Sequence, residues 1–376
     1  MFVLAACHAA VRVGVLKRRD KIGLAAGLSV IVLGVASAVV WQSVHDPIGL
    51  PPRAIAPAIP ELHMMEQPGL WEQQGEVEYP EQNKTARFTS SDTVYWALDG
   101  RALMIESHYE TDQGGGDGEL MVKTYNNATG KYLQTLFTDR GRVVAFEGEW
   151  SETERAMSWQ PFYPTNNVPQ MTVVLGELMI APDRKRIRTQ YRHFATVRKE
   201  VRVESRRLGD GPSPDAWEPG TPAHEALSVL GQAGLWLEQQ TFKIGEEEVK
   251  TLIRGRTRWA QNGRCLVFEG VVVESDLGDA GAPLMWIKSF DHDLKLFRYA
   301  YFWDSGAVDH YIGGWNPTNK KLTWRSMHAG AGEEFSHSLE ETVEQPGVRR
   351  WKFKTREYGK VVAEGEGVNR LQVTDP

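Results

Sequence analysis

The chain has 376 residues and a formal net charge of -6, with 41% hydrophobic and 24% charged residues. These are ordinary values for a folded globular protein, and they exclude a chain that binds nucleic acid over its whole surface. Thirteen tryptophans point to substantial aromatic cores.

In chain order, residues 1–21 carry Arg12, Lys17, Arg18, Arg19 and Lys21 ahead of an uncharged apolar run, 22–41, long enough to cross a bilayer as a helix. The positive-inside rule then places the N-terminus in the cytoplasm and everything after the anchor in the periplasm or otherwise outside the cytoplasm. Ala36-Ser37-Ala38 offers the alternative of signal cleavage near Ala38 and secretion, but apolar residues continue past it, which favours an uncleaved signal anchor. Residues 42–60, with Pro47, Pro51, Pro52, Pro57 and Pro60, read as a stiff extended spacer. Cys7 and Cys265 fall on opposite sides of the anchor, so they form no intramolecular disulfide, and Cys265 reads as a small buried hydrophobe.

The rest of the chain is a duplication. Trp71, Trp96, Trp150 and Trp159 are answered by Trp236, Trp259, Trp315 and Trp324 at separations of 165, 163, 165 and 165 residues. A period this long means two copies of a domain, residues 61–208 and 223–373, joined by a second proline-rich linker, 209–222. The offset changes at the Gly-rich stretch 114–118, where a surface loop tolerates an indel. Each copy reads as antiparallel β. Asp99-Gly100 and Asn262-Gly263 are two-residue hairpin signals, and Asp139-Arg140-Gly141 and Asp304-Ser305-Gly306 mark a later turn. Strands are expected at 94–98, 102–105, 121–125, 132–138, 143–149, 157–160, 186–193 and 200–205. In the second copy they are expected at 286–290, 297–303, 321–325, 350–355 and 360–365. The fold class is therefore all-β, two tandem antiparallel barrels of about eight strands each, preceded by one transmembrane helix.

Gly69 and Trp71 on the first strand with Arg207 near the last, repeated as Gly234, Trp236 and Arg370, resemble the signature of the calycin superfamily, which includes lipocalins and fatty-acid-binding proteins. The resemblance implies that the tryptophan closes one barrel end and the arginine packs across it as a cation–π contact. The ordered set of Gly-x-Trp, the Gly-Arg-x-Leu hairpin and Tyr125-Asn126 through Phe137-Thr138-Asp139 is similar to an uncharacterised family of bacterial exported domains, and it recurs around Phe290-Asp291 and Phe302-Trp303-Asp304. The opening of the first copy also resembles haem-binding nitrobindin-like barrels, but no late histidine stands at matching positions of both copies, so no cofactor is expected.

Chemistry is sparse. The histidines have no metal-ligand spacing, and serine-nucleophile and phosphate-loop motifs are absent, so neither a metal nor a catalytic set is assigned. Glu106 and Glu269 recur on the strand after the Asx-Gly turn; they are either solvent-facing or placed to orient a ligand or act as a base in a cavity. Trp96 and Trp259 are candidates for a cavity rim, and Tyr301 and Trp303, with Tyr299 and Trp286, make the second copy the better equipped for ligand stacking. Arg184 to Arg207 is rich in basic residues and reads as a solvated outer face, or as a site for anionic polysaccharide or lipid headgroups. The functional expectation is non-catalytic binding or sensing of a small, partly apolar ligand. The alternatives are a hydrolase or isomerase using a cavity glutamate, and a structural envelope module.

Overall fold

Alternation of apolar and polar side chains builds both copies: on the first strand Trp71 and Gln73 turn inward while Leu70, Glu72 and Gln74 face out. The computed structural model describes residues 54, 56–111, 118–162, 171–194, 196–211, 219–244, 246–327 and 335–372. The expected anchor at 22–41 and Cys7 lie outside them, and no helix among the described residues is long and apolar enough to cross a membrane.

The first copy comprises β1 (Gly69–Tyr79), β2 (Lys84–Ala97), β3 (Ala102–Thr111), β4 (Gly118–Asn126), β5 (Lys131–Phe137), β6 (Val143–Ser151), β7 (Ala156–Pro161), β8 (Met171–Ala181), β9 (Arg184–His193) and β10 (Thr196–Gly209). The second comprises β11 (Gly234–Ile244), β12 (Glu247–Ala260), β13 (Cys265–Ser275), β14 (Pro283–Asp291), β15 (Leu296–Phe302), β16 (Val308–Asn316), β17 (Lys321–Ser326), β18 (Phe335–Gln345), β19 (Val348–Glu357) and β20 (Lys360–Gln372). Each set is a closed up-and-down meander in which the first strand pairs with the last, so no strand edge is left open. Ten strands per barrel replace the eight or so expected. Among those missed, β8 hides its alternation because its outward Val174, Leu178 and Ile180 are apolar too.

The Asx-Gly hairpins form where expected but with a different turn. Ala97 pairs with Ala102 and Ala260 with Cys265, leaving four-residue loops in which Leu98, Asp99 and Gly100, or Gln261, Asn262 and Gly263, all have positive φ. The extra length accommodates an incoming chain. Ala58 N donates to Gly100 O at 2.8 Å, and Ala223 N to Gly263 O at 2.9 Å, so the end of each proline-rich linker is docked on its turn. A short 3-10 turn, Pro60–Met64, and a single helical turn, α1 (Glu225–Ser228), follow these segments and insert the fully buried Leu62 and Leu227.

The barrels meet side by side through the outer faces of β2–β5 and β12–β15. Met104, Leu120 and Phe137 from one and Val267, Met285 and Phe302 from the other share one buried cluster, with Cys265 fully buried among them. Polar contacts across the seam are reciprocal: Thr124 Oγ1 donates to Gly306 O at 2.7 Å, and Ser289 Oγ to Gly141 O at 3.1 Å. Asn127 N donates to Ser305 O at 3.1 Å, and His292 N to Arg140 O at 3.0 Å. Such exchange of equivalent contacts is the pattern of a two-fold, isologous interface, here inside one chain.

The repeated Asp-x-Gly turns therefore serve the seam as well as the hairpin. Gly141 and Gly306 have φ of 74° and 79°, and a Cβ on them would lie 1.9 Å from Phe290 O and 1.8 Å from Tyr125 O. Gly141→Ala and Gly306→Ala are each expected to cost about 2–5 kcal/mol, from left-handed backbone strain plus overpacking against a neighbouring backbone. Denaturant unfolding would measure it, and a loss below about 0.5 kcal/mol for either variant would contradict this view of the seam.

Candidate functional site

The interiors of the two barrels start from one plan. A lysine on the fourth strand, Lys123 or Lys288, points inward at the end closed by the linker segment, beneath a tryptophan, Trp159 or Trp324. Each tryptophan Nε1 donates at 2.8 Å to a glutamate on the next strand, Glu177 or Glu341. A buried ammonium must be matched by carboxylate or other acceptors, and the copies differ in how they do it.

In the first barrel Lys123 Nζ contacts both Glu66, at 2.8 Å, and Glu177, at 2.8 Å, and Lys185 donates to Glu66, closing a neutral quartet with every member at most 6% exposed. Burial opposes the charge on Glu66, but Lys123 and Lys185 overcome it and hold its carboxyl far below the usual range. Burial likewise opposes the charge on Lys123, and Glu177 and Glu66 hold its ammonium above the usual lysine range. In the second barrel the position of Glu66 is Gly231, where a Cβ would lie 2.8 Å from Leu266 Cδ2. Lys288 keeps one carboxylate partner, Glu341 at 2.5 Å, and lies 4.5, 5.0 and 5.5 Å from the ring centroids of Trp286, Tyr299 and Trp324. Here burial wins, and the Lys288 ammonium is pushed below its ordinary value.

Above the quartet, the first barrel contains a cavity of about 600 Å³; in the second, a gap of about 20 Å³ lies at the closed end around Gly231, Trp236 and Lys288, and aromatic side chains occupy the positions above it. The difference is written in equivalent positions. Val77, Ile105, Met121, Gln134 and Leu136 of the first copy stand where the second has Phe242, Phe268, Trp286, Tyr299 and Tyr301. The paired registers agree, with Met121 opposite Leu136 and Trp286 opposite Tyr301. The aromatics of the second barrel pack on one another: Phe268 stacks on Trp286 at 5.0 Å and Tyr299 on Tyr311 at 5.2 Å.

The cavity wall carries one line of polar groups. Asp92, 1% exposed, accepts from Gln73 Nε2 and from Ser90 Oγ at 3.2 Å, and Ser107 is also within its hydrogen-bonding reach. Tyr109 Oη donates to Glu119 Oε2 at 2.7 Å. Burial pushes both carboxyls, Asp92 and Glu119, above the usual range. Deeper in the barrel, Gln134 is 1% exposed and its Oε1 has no hydrogen-bond partner among the described residues. Lys199 lies 4.9 Å from the Tyr191 ring, on the same lining.

The residues singled out from the sequence fall elsewhere. Glu106 is on the outer wall of the first barrel, in the seam, where it and Tyr95 accept from Arg258 of the second barrel. Glu269 lies on the matching outer strand position, 3.8 Å from Arg256. Neither faces a cavity, because their strand parity is that of the seam residues Met104 and Val267. Trp96 and Trp259 are 3% and 6% exposed and belong to the cores at the closed ends, not to a rim. Tyr301 and Trp303 pack together at 4.6 Å, and Trp303 Nε1 donates to Asp309 at 2.8 Å, filling the second barrel. The aromatic side chains expected to stack a ligand in the second copy thus pack on one another.

Trp71 and Trp236 do sit buried at closed ends, each Nε1 donating to the backbone oxygen four residues earlier, Gln67 O or Gln232 O. The cation over the Trp71 ring is Lys185, at 5.8 Å, in place of the expected Arg207. Arg207 pairs beside Trp71 and crosses Gly69 to donate to Pro68 O at 2.9 Å; a Cβ on Gly69 would lie 2.8 Å from its Nε. Arg370 is displaced by one register step, facing Leu237 while Leu371 faces Trp236, and it donates outward to Gln239. The basic stripe on β9 and β10 is interleaved with acids: Arg186 pairs with Glu204, and Arg188 and Arg202 both pair with Glu200. Burial works against the Glu200 charge, yet hydrogen bonds from Arg188, Gln190 and Arg202 hold its carboxyl down to about 2. Among the described residues no three His, Cys, Asp or Glu come together as a metal site.

Two closed antiparallel barrels, each opening on a Gly-x-Trp strand, one solid and one hollow, fit a calycin-like fold. No family model matches the chain, and no curated protein matches it in sequence. Among solved structures it is similar to a DUF3598-family protein of unknown function from Nostoc punctiforme, with a TM-score of 0.25 and 9% identity over 82% of this chain and 98% of that one. It is also similar to a protein assigned as AttH from Nitrosomonas europaea, with a TM-score of 0.16 and 8% identity over 81% of this chain and 92% of that one.

Removing Glu66 would leave Lys185 and Lys123 buried with one carboxylate between them. Glu66→Gln is expected to cost about 3–5 kcal/mol. Because the folded-state Glu66 value is depressed, its contribution is present above the ordinary value of 4.5 and is lost as pH falls below it through the acid range. Wild-type stability should therefore fall with pH from about 5 downward more steeply than that of Glu66→Gln. Parallel curves from denaturant titrations at stepped pH would refute this.

Proposed function

We propose that the protein binds a small, partly apolar ligand inside its first barrel, with the second barrel as a rigid companion. The observation that carries this reading is the asymmetry of the interiors: about 600 Å³ of space in the first barrel, at positions where the second packs aromatic side chains on equivalent strands. A volume of that size, apolar walls from Ile105, Met121, Leu136 and Phe146, and a few fixed polar groups are the usual makeup of a small-molecule site. An enzymatic role through Glu106 or Glu269 loses its basis, since both sit on outer walls, Glu106 paired with Arg258 across the seam and Glu269 with Arg256 of its own barrel. In this proposal residues 22–41 anchor the chain and both barrels stand outside the cytoplasm; a C-terminal alkaline phosphatase fusion should be active, and an inactive fusion that is nonetheless made in full would reverse the topology.

The second barrel supplies the test. Met121→Trp combined with Leu136→Tyr installs in the first barrel the side chains that already pack at the equivalent positions, Trp286 and Tyr301. The double variant should keep or raise the melting temperature, by up to about 2 kcal/mol of added burial, and lose any small molecule that native mass spectrometry finds on the full chain in detergent. A ligand retained by the filled barrel would sink the proposal.

A further inference from the structure

Three acceptor groups in the first barrel lack a matching donor of full charge. The quartet of Glu66, Glu177, Lys123 and Lys185 is neutral within itself, and each of its lysines already contacts carboxylate oxygens. Asp92 and Glu119 stand outside it. Asp92 is hydrogen-bonded by the neutral donors Gln73 and Ser90, with Ser107 also in reach; Lys185 acts on its charge but is itself bound to Glu66, and the donor to Glu119 is the Tyr109 hydroxyl. Lys199, whose charge acts on Glu119, lies over the Tyr191 ring. The third group is independent of these two. Gln134 Oε1 is a buried acceptor with no partner, on the inner face beside Lys123, whose Nζ is already occupied.

Leaving a buried acceptor unpaired, and two burial-strained carboxylates hydrogen-bonded by neutral donors alone, costs stability that a donor-bearing ligand would restore. The aliphatic side chains around them, Val77, Ile105, Met121 and Leu136 among them, require that the ligand's body be apolar. We propose that the first barrel selects an apolar-bodied organic cation bearing N–H donors, an ammonium or amidinium seated on the Asp92 and Glu119 carboxylates with a further N–H reaching Gln134 Oε1. This rests on the ligand-binding reading above and adds to it the sign of the ligand's charge.

Tryptamine, tryptophol and indolepropionate share an indole with its N–H and differ only in the head group, so they separate the two claims when titrated calorimetrically into the full chain in detergent. Tryptamine is expected to bind at least about tenfold more tightly than tryptophol, as charge-assisted hydrogen bonds to carboxylates outweigh neutral ones, with indolepropionate weakest. Asp92→Asn and Glu119→Gln should each weaken tryptamine about tenfold and leave tryptophol within about twofold. Gln134→Leu should raise the melting temperature of the unliganded protein while weakening all three probes, and it keeps the test open if an acid variant fails to fold. Tryptophol binding as tightly as tryptamine, or acid variants that weaken both equally, would overturn the cation claim and leave the ligand-binding reading standing. Failure of all three probes to bind would remove both.

Discussion

A lysine ammonium sealed inside a β-barrel is the constraint from which the rest of this interior follows. Its desolvation is too costly to leave uncompensated, and there are two chemical ways to meet it. In the first barrel a second carboxylate, Glu66, is delivered by the segment that enters from the linker, and the floor becomes a compact neutral quartet. In the second, that segment offers Gly231, and three aromatic rings close around Lys288 instead. Rings large enough to stabilise a cation are also large enough to fill the space above it. The choice of counter-charge at the floor therefore goes together with whether the barrel is hollow or solid.

The swap is compensated. Where the first copy has Glu66 and Gln73, the second has Gly231 and Glu238, so the closed end of each barrel retains two acids beside two bases: Glu66 and Glu177 with Lys123 and Lys185 in one, Glu238 and Glu341 with Lys288 and Arg349 in the other. Glu238 is not a second partner of Lys288 in the sense that Glu66 is of Lys123. It accepts from Gln240 and from Trp351 Nε1, and burial pushes its carboxyl upward. The second barrel thus has the character of a core with polar pins, and the first that of a cup with a charged base.

Much of this was legible in the sequence. The tryptophan offsets gave the two copies, and the Gly-x-Trp strands marked where each barrel begins and closes, because a buried tryptophan and a glycine under a crossing arginine leave a strong residue signature. What sequence reasoning missed was parity. Glu106 and Glu269 recur because both copies use the same outer wall for the seam, and recurrence alone does not say which wall of a strand a residue occupies. The extra aromatics of the second copy look like stacking surfaces in the sequence but pack on one another in the structure; side-chain volumes at equivalent positions, Met121 against Trp286 and Leu136 against Tyr301, point to the hollow copy. Asp92 and Glu119 left no signal, since their counterparts Gly255 and Leu284 are apolar and nothing repeats. A site confined to one copy is invisible to a method that looks for what the copies share.

The reciprocal seam, with Thr124 on Gly306 and Ser289 on Gly141, has a consequence for descent. Contacts of that symmetry are what two identical chains would make, so an ancestor with one barrel would have met its twin through the same face. In such a pair every substitution appears twice, and a cup could not become solid on one side only. Joining such twins end to end releases that lock: one half can be solid while the other is hollow.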